Sequence, residues 1–228
     1  MSLLRSFNKR RLAWKHKFDA GKGDYRGQYM QDAFLDQVVF KGKTDGFFLD
    51  IGANDGVTIN NSWFFENRRG WKGICFEPNP DVFAKLASNR KCDCIEAALC
   101  DRDGEATFVK VEGGAEMLSG LESSMDDDHK RRIANENSGI RHITVKTRDI
   151  NSLLAERGIT SIDLISLDIE GGELELLSKI DLSKIRVKAL TIENNHKDRQ
   201  MKKFMDRYGF KLIQYLGADE IYVPKDWK

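Results

Sequence analysis

Only three prolines punctuate the 228 residues, and two of them, Pro78 and Pro80, stand almost side by side. No segment approaches the roughly 20 consecutive apolar residues of a membrane-spanning helix, so no transmembrane segment is expected. An excess of one charge sign is also missing. Thirty-seven Lys and Arg face 36 Asp and Glu, a net charge of +1, which offers no global footprint for nucleic acid. Cysteine is scarce, and Cys75, Cys92, Cys94 and Cys100 are clustered. They do not make a disulfide framework, and Cys92-x-Cys94 without further Cys or His is a poor zinc motif. Reduced core thiols in a cytoplasmic protein are the expectation. The N-terminus carries charges throughout and lacks the apolar stretch of a signal peptide.

What is present suits one large α/β domain: 40% hydrophobic residues for a core and 32% charged residues for a solvated surface. Residues 1–40 read as an N-terminal helical extension ahead of a domain over 41–228. Within the extension, Leu3, Leu4, Phe7, Trp14 and Phe18 recur at helical spacing among Arg and Lys. That pattern fits an accessory helix packed on the domain, and secondarily a peripheral membrane contact through residues 1–18. A second helix is expected over 28–40. From Gly46 onward strands and helices alternate, with strands at 46–51, 73–77, 92–99, 162–168 and 187–193. Helices fall at 60–68, 80–89, 172–180 and 197–208. Two β-rich pieces, 106–112 and 141–147, bracket the polar segment 113–139, read as a lid or inserted loop. Lys211–Leu216 and Ile221–Pro224, split by Gly217-Ala218-Asp219, read as a terminal hairpin.

Residues 47–56, Phe-Phe-Leu-Asp-Ile-Gly-Ala-Asn-Asp-Gly, take a buried strand into a glycine turn. Gly52 and Gly56 allow close backbone approach to a ligand. The dinucleotide fingerprint G-x-G-x-x-G requires a middle glycine, and Asn54 occupies that position. An acid two residues before the first glycine, Asp50, is the other departure. Acid-x-Gly-x-x-x-Gly resembles motif I of class I S-adenosylmethionine (SAM) methyltransferases. Glu77 ends the next strand, 27 residues after Asp50, where a carboxylate is placed to accept from ribose hydroxyls. Glu96 and Ala97 follow at the third strand and are expected to border the adenine. A further strand delivers Asp168 to the same edge, followed by Glu170 and Gly171-Gly172. Glu173 and Glu175 read as helix-capping acids.

Taken in order, these pieces resemble the FkbM-type methyltransferases over roughly residues 28–215. The resemblance rests on Gly46–Gly56, Gly70–Pro80, Ala98–Asp101, Leu118–Gly120, Ile162–Gly171 and Thr191–Glu193. It implies a Rossmann-like class I methyltransferase fold: a mostly parallel seven-stranded sheet with an antiparallel C-terminal hairpin and helices on both faces. It also implies SAM-dependent transfer to a hydroxyl of a sugar, glycan or polyketide-like small molecule. Gln31-Asp32 resembles a family feature near the cofactor's methionine end. Asp168, Glu170 and His196 are the candidate bases for the acceptor hydroxyl. Asp168 with Glu193 and Asn194 resembles the acidic set of catechol-type O-methyltransferases, a hard-oxygen grouping suited to Mg²⁺. The alternatives are a non-enzymatic interaction module on the same fold and an NAD-dependent oxidoreductase.

Overall fold

The computed structural model describes residues 23–113, 115–136, 139–195 and 199–228. The basic stretch 1–18 and His196 lie outside them. In chain order the elements begin with α1 (Gln31–Phe34), which runs into a π-helical turn at Leu35–Val39. Next come β1 (Phe47–Ile51), α2 (Trp63–Arg69), β2 (Lys72–Phe76), α3 (Pro80–Asn89), β3 (Asp93–Ile95) and β4 (Ala98–Cys100). The middle holds β5 (Gly104–Val111), β6 (Gly120–Leu121), α4 (Asp127–Asn135), β7 (Ile140–Asp149) and α5 (Ile150–Glu156). The chain closes with β8 (Ser161–Leu167), α6 (Glu173–Lys179), β9 (Arg186–Glu193), α7 (Arg199–Arg207), β10 (Phe210–Leu216) and β11 (Asp219–Pro224).

Seven strands form the main sheet in the order β10-β11-β9-β8-β1-β2-β3. The pairs β1–β2, β2–β3, β1–β8 and β8–β9 are parallel, while β11 is antiparallel to both β9 and β10. This is the Rossmann-like class I methyltransferase order, with the reversal of strand sequence between β1 and β8. Open sheets of this kind bind ligands outside the strand C-termini at such a switch point.

Central strands are apolar on both faces because both are covered. Leu49, Ile51, Ile165, Leu167, Leu190 and Ile192 pack with α5, α6 and α7. Phe48, Leu164, Ala189 and Ile221 pack with Phe34, Phe64, Phe65 and Leu86 on the opposite face. Residues 31–40 belong to that second core and are not an appendage. Phe34 and Leu35 are fully buried, and Phe40 stacks edge-on against Trp71 at 4.8 Å. Asp36 accepts from Arg69 Nε and Nη2 at 2.7 and 2.8 Å, pinning this segment to α2.

Three features depart from the sequence expectation. The strand expected over 92–99 breaks at Glu96-Ala97, so β3 joins the main sheet while β4 opens a second one. That second sheet, ordered β4-β7-β5-β6, takes in both β-rich pieces around the insert. Residues 113–139 are not a bare loop: they contain β6 and α4, and Met125 and Ile133 pack on Val109 and Val111. Helix α5 was not anticipated at all, although Asp149 caps it by accepting from Asn151 N–H at 2.9 Å.

Candidate functional site

A cleft opens at the C-terminal edge of the main sheet, at the β1/β8 switch point. Its floor is the turn after β1. Gly52 has φ +83°, and a Cβ there would lie 1.7 Å from the Asp168 carbonyl oxygen. Only glycine lets these two strand ends meet. Gly52 and Ala53 donate their N–H groups to the Phe76 carbonyl at 3.1 and 2.9 Å, and Asp168 donates to Ile51 at 3.0 Å. Asn54 stands at φ +50°, so it takes the left-handed conformation that a glycine would otherwise supply, a region asparagine tolerates.

Glu77 forms the side wall. Its two carboxylate oxygens accept from Asn54 N–H at 3.1 Å and Asn79 N–H at 2.8 Å. Each oxygen keeps a further lone pair in a carboxylate whose orientation is set by the backbone. Burial raises its pKa to about 7 against those two hydrogen bonds. Ala97 also lines the cleft, and its small side chain leaves room beside Val82 and Phe108. The insert closes the far side through Met117, Ser119, Leu121 and Ser124.

Several expected cofactor residues lie outside this lining. Asp50 is buried beneath the turn, where Asp50 Oδ2 accepts from Asn60 Nδ2 at 2.8 Å and Ser62 Oγ at 2.6 Å. Burial raises its pKa, opposed by the Arg90 guanidinium. Gly56 faces α3, since a Cβ would meet Leu86 and Arg90 at 2.6 and 2.7 Å. Glu96 is exposed, because the chain swings from one sheet to the other at that point. Gln31 and Asp32 are buried but turned inward. Gln31 Nε2 donates to Asp219 Oδ2 at 2.7 Å, and Asp32 accepts from Arg26 and Ala33 N–H. Asp50, Gly56, Gln31 and Asp32 support the walls of the cleft, Glu96 points to solvent, and none of the five lines its surface.

A second hollow shares Ser124, Glu170 and Gly171 with the first. Glu193 and Asn194 line it, at the end of β9. Asp168, Glu170 and Glu193 bring carboxylate oxygens within 4.8 Å of one another where the two hollows meet. Asp168 has accessible surface, but it faces the cleft with protein packed around it. Burial and the carboxylates of Glu193, Glu170 and Asp219 hold its pKa well above the ordinary range. Burial and the carboxylates of Glu170, Glu173 and Asp219 push Glu193 up to about 8. Glu170 is raised by burial, while Arg132 and His129 oppose the shift. It sits at φ +56°, an unfavourable conformation for a non-glycine residue. Glu173 stands in the first turn of α6 without capping it; its carboxylate accepts from Gly171 N–H, ahead of the helix, at 2.9 Å.

Sequence reasoning missed two groups here. Arg90 has a side chain with no exposed surface, pairs with Glu66, and donates to Gly56 O, Asn60 Oδ1 and Ser62 Oγ at 3.1, 3.1 and 2.9 Å. Nothing local distinguishes it from a surface arginine. His129 lines the second hollow at 5% exposure. Its Nε2 lies 2.8 Å from the Leu118 carbonyl and its Nδ1 4.0 Å from Glu170. The signal for it was the i, i+4 run Met125, His129, Ile133, hidden behind Asp126-Asp127-Asp128.

The model of the methyltransferase FkbM domain matches residues 50–212. The chain is 31% identical over 153 residues to the 2-O-methyltransferase NoeI of Sinorhizobium fredii, covering 63% of this chain and 62% of that protein. It is 25% identical over 159 residues to methyltransferase sdnD of Sordaria araneosa, covering 59% and 60%. It thus spans about three-fifths of the length of these curated relatives. Among solved structures it aligns with methyltransferase FkbM of Methylobacillus flagellatus KT at TM-score 0.48 and 12% identity. That alignment covers 78% of this chain and 43% of the other. With the matched region running from the acid below the glycine turn through both hollows and into β10, the chain belongs to the FkbM methyltransferase family.

Proposed function

We propose that the chain is a SAM-dependent O-methyltransferase whose acceptor is a hydroxyl of a sugar, glycan or polyketide-like small molecule. The observation that carries this reading is Glu77, an acid oriented by two backbone N–H groups beside the Gly52 turn. It is a preorganised acceptor for a ribose diol. Ala97, Val82 and Phe108 give an apolar slot next to it for a purine ring. The relative named a 2-O-methyltransferase supports oxygen as the methylated atom.

SAM held by Glu77 and the Gly52 turn would supply a methyl group already activated on a sulfonium. The chain must align the hydroxyl and remove its proton. Asp168, Glu170 and Glu193 suit that task because close carboxylates share protons, and a raised pKa makes the ionised member a stronger base. The binding-module and oxidoreductase alternatives are weaker. The cleft retains both glycine and acid, and the middle glycine of a dinucleotide turn is absent. In isothermal titration calorimetry SAM should bind and NAD should not. Glu77→Gln should weaken SAM by about 10- to 100-fold, the loss of charge-assisted hydrogen bonds. Tight NAD binding without SAM binding would overturn the assignment.

The same three carboxylates are a hard-oxygen set that fits Mg²⁺. A cation held by Asp168, Glu170 and Glu193, with Asn194 nearby, would lower the pKa of an acceptor hydroxyl. Ligands of the native state raise its melting temperature. Millimolar Mg²⁺ should therefore raise the melting temperature of the wild type and leave Glu193→Gln unmoved; no shift in the wild type removes the metal from the scheme.

A further inference from the structure

Cys75, Cys92 and Cys94 meet where β2 pairs with β3, away from both hollows. Cys75 and Cys94 are register partners on neighbouring parallel strands. Cys75 is fully buried, while Cys92 and Cys94 are partly accessible. The Sγ atoms of Cys75 and Cys92 stand 3.5 Å apart, and the Cys94 thiol donates to the Cys92 carbonyl at 3.6 Å. Among the described residues, the grouping of metal-ligating side chains is the acidic one in the cleft. The three sulfurs therefore do not converge as a metal triad.

We infer that Cys75 and Cys92 form a reversible thiol–disulfide site, oxidised by a peroxide and reduced by small thiols. A disulfide needs a sulfur separation of about 2.05 Å, so closure requires a relative movement of about 1.5 Å. Cys92 precedes β3 and lies outside the strand ladder; its own backbone tie is a 2.5 Å hydrogen bond from Cys92 N–H to Glu66 Oε1. The chemistry balances with one peroxide. The partly accessible Cys92, once it gives up its proton, attacks one peroxide oxygen; the O–O bond breaks, a sulfenic acid forms, and the other oxygen takes up a proton and leaves as water. The Cys75 sulfur then displaces a second water from Cys92, and the S–S bond forms as two thiols lose two electrons and two protons. The pair sits at the root of the glycine turn. Cys75 is the register partner of Asp50, and Arg90 lies two residues before Cys92.

The test uses the full chain, reduced and desalted, then treated with hydrogen peroxide, trapped with N-ethylmaleimide and weighed intact. The expected product carries two maleimide labels in place of four and, apart from those labels, weighs about 2 Da less. Dithiothreitol should restore all four labels. Digestion before aspartate separates Cys92 from Asp93 and Cys94, so the cross-linked peptide should contain Cys75 and Cys92. Cys92→Ser should abolish the cross-link and Cys100→Ser should keep it. A bond through Cys94, a bond only between molecules, or four labels after treatment would each overturn the inference.

Discussion

Glu77 shows how one carboxyl can be both positioned and poised. Burial lifts it to about 7 while two N–H groups hold it in place. If ribose hydroxyls donate to the ionised form, SAM binds that form preferentially. Affinity should then be flat above pH 7 and fall below it, by up to about tenfold per pH unit. Glu77→Gln should lose this dependence between pH 6 and 8. A calorimetric series over that range checks it, and an unchanged slope in the variant assigns the titration to another group. Gly52 and Asn54 carry the complementary lesson. Both adopt positive φ, but only Gly52 faces a backbone oxygen that forbids a side chain. The missing glycine of the dinucleotide pattern is therefore no loss of turn geometry.

At the level of elements, the loop between β1 and α2 is held by a buried polar network. Arg90, at the end of α3, reaches across to Gly56, Asn60 and Ser62, while Ser62 and Asn60 bind Asp50. Removing the guanidinium leaves Glu66 and Asp50 buried without their cation. Arg90→Met should cost about 3–5 kcal/mol, the range for breaking a buried pair by deleting one partner. Urea unfolding should report it as a lower midpoint; a loss below about 1 kcal/mol would show that the network relaxes around the gap. The insert makes a second point about elements. Its polar composition suggested a lid, yet Gly120, Met125, His129 and Ile133 are buried. Polar side chains on one face of a short helix concealed the buried stripe on the other.

Across the whole molecule, the acids around the cleft have an unusual balance. Burial raises Asp32 and Asp219 to about 6, Glu77 to about 7 and Glu193 to about 8. Unfolded carboxyls titrate near about 4, so between these values the native state binds more protons than the unfolded one. Stability is then present at low pH and lost as pH rises through the native values. The melting temperature should fall from pH 5 to pH 8 at constant ionic strength, as seen by differential scanning calorimetry. A rise over that interval would mean that these carboxyls are solvated.

The main-sheet strand segments, the glycine turn, Glu77 and the acidic strand end at Asp168 were legible in the linear sequence. Each is encoded locally, by an apolar run of strand length ending in a residue of defined conformation or charge. No helix among the described residues is long and apolar enough to cross a membrane, as the absence of apolar runs implied. Tertiary structure alone decided which polar residues face the cleft. Asp50, Gln31, Asp32 and Gly56 sit in the right segments, but packing turns them into the supporting walls. Glu96 is carried to solvent by a break between two sheets that no local pattern announced. Arg90 and His129 enter for the same reason: long-range contacts across 28 to 41 residues give them their surroundings. The sequence by itself determined the strands of the main sheet and their binding edge, because periodicity and turn chemistry are local. Which side chains reach the hollows was decided only when distant elements packed, because burial and facing depend on neighbours remote in the chain.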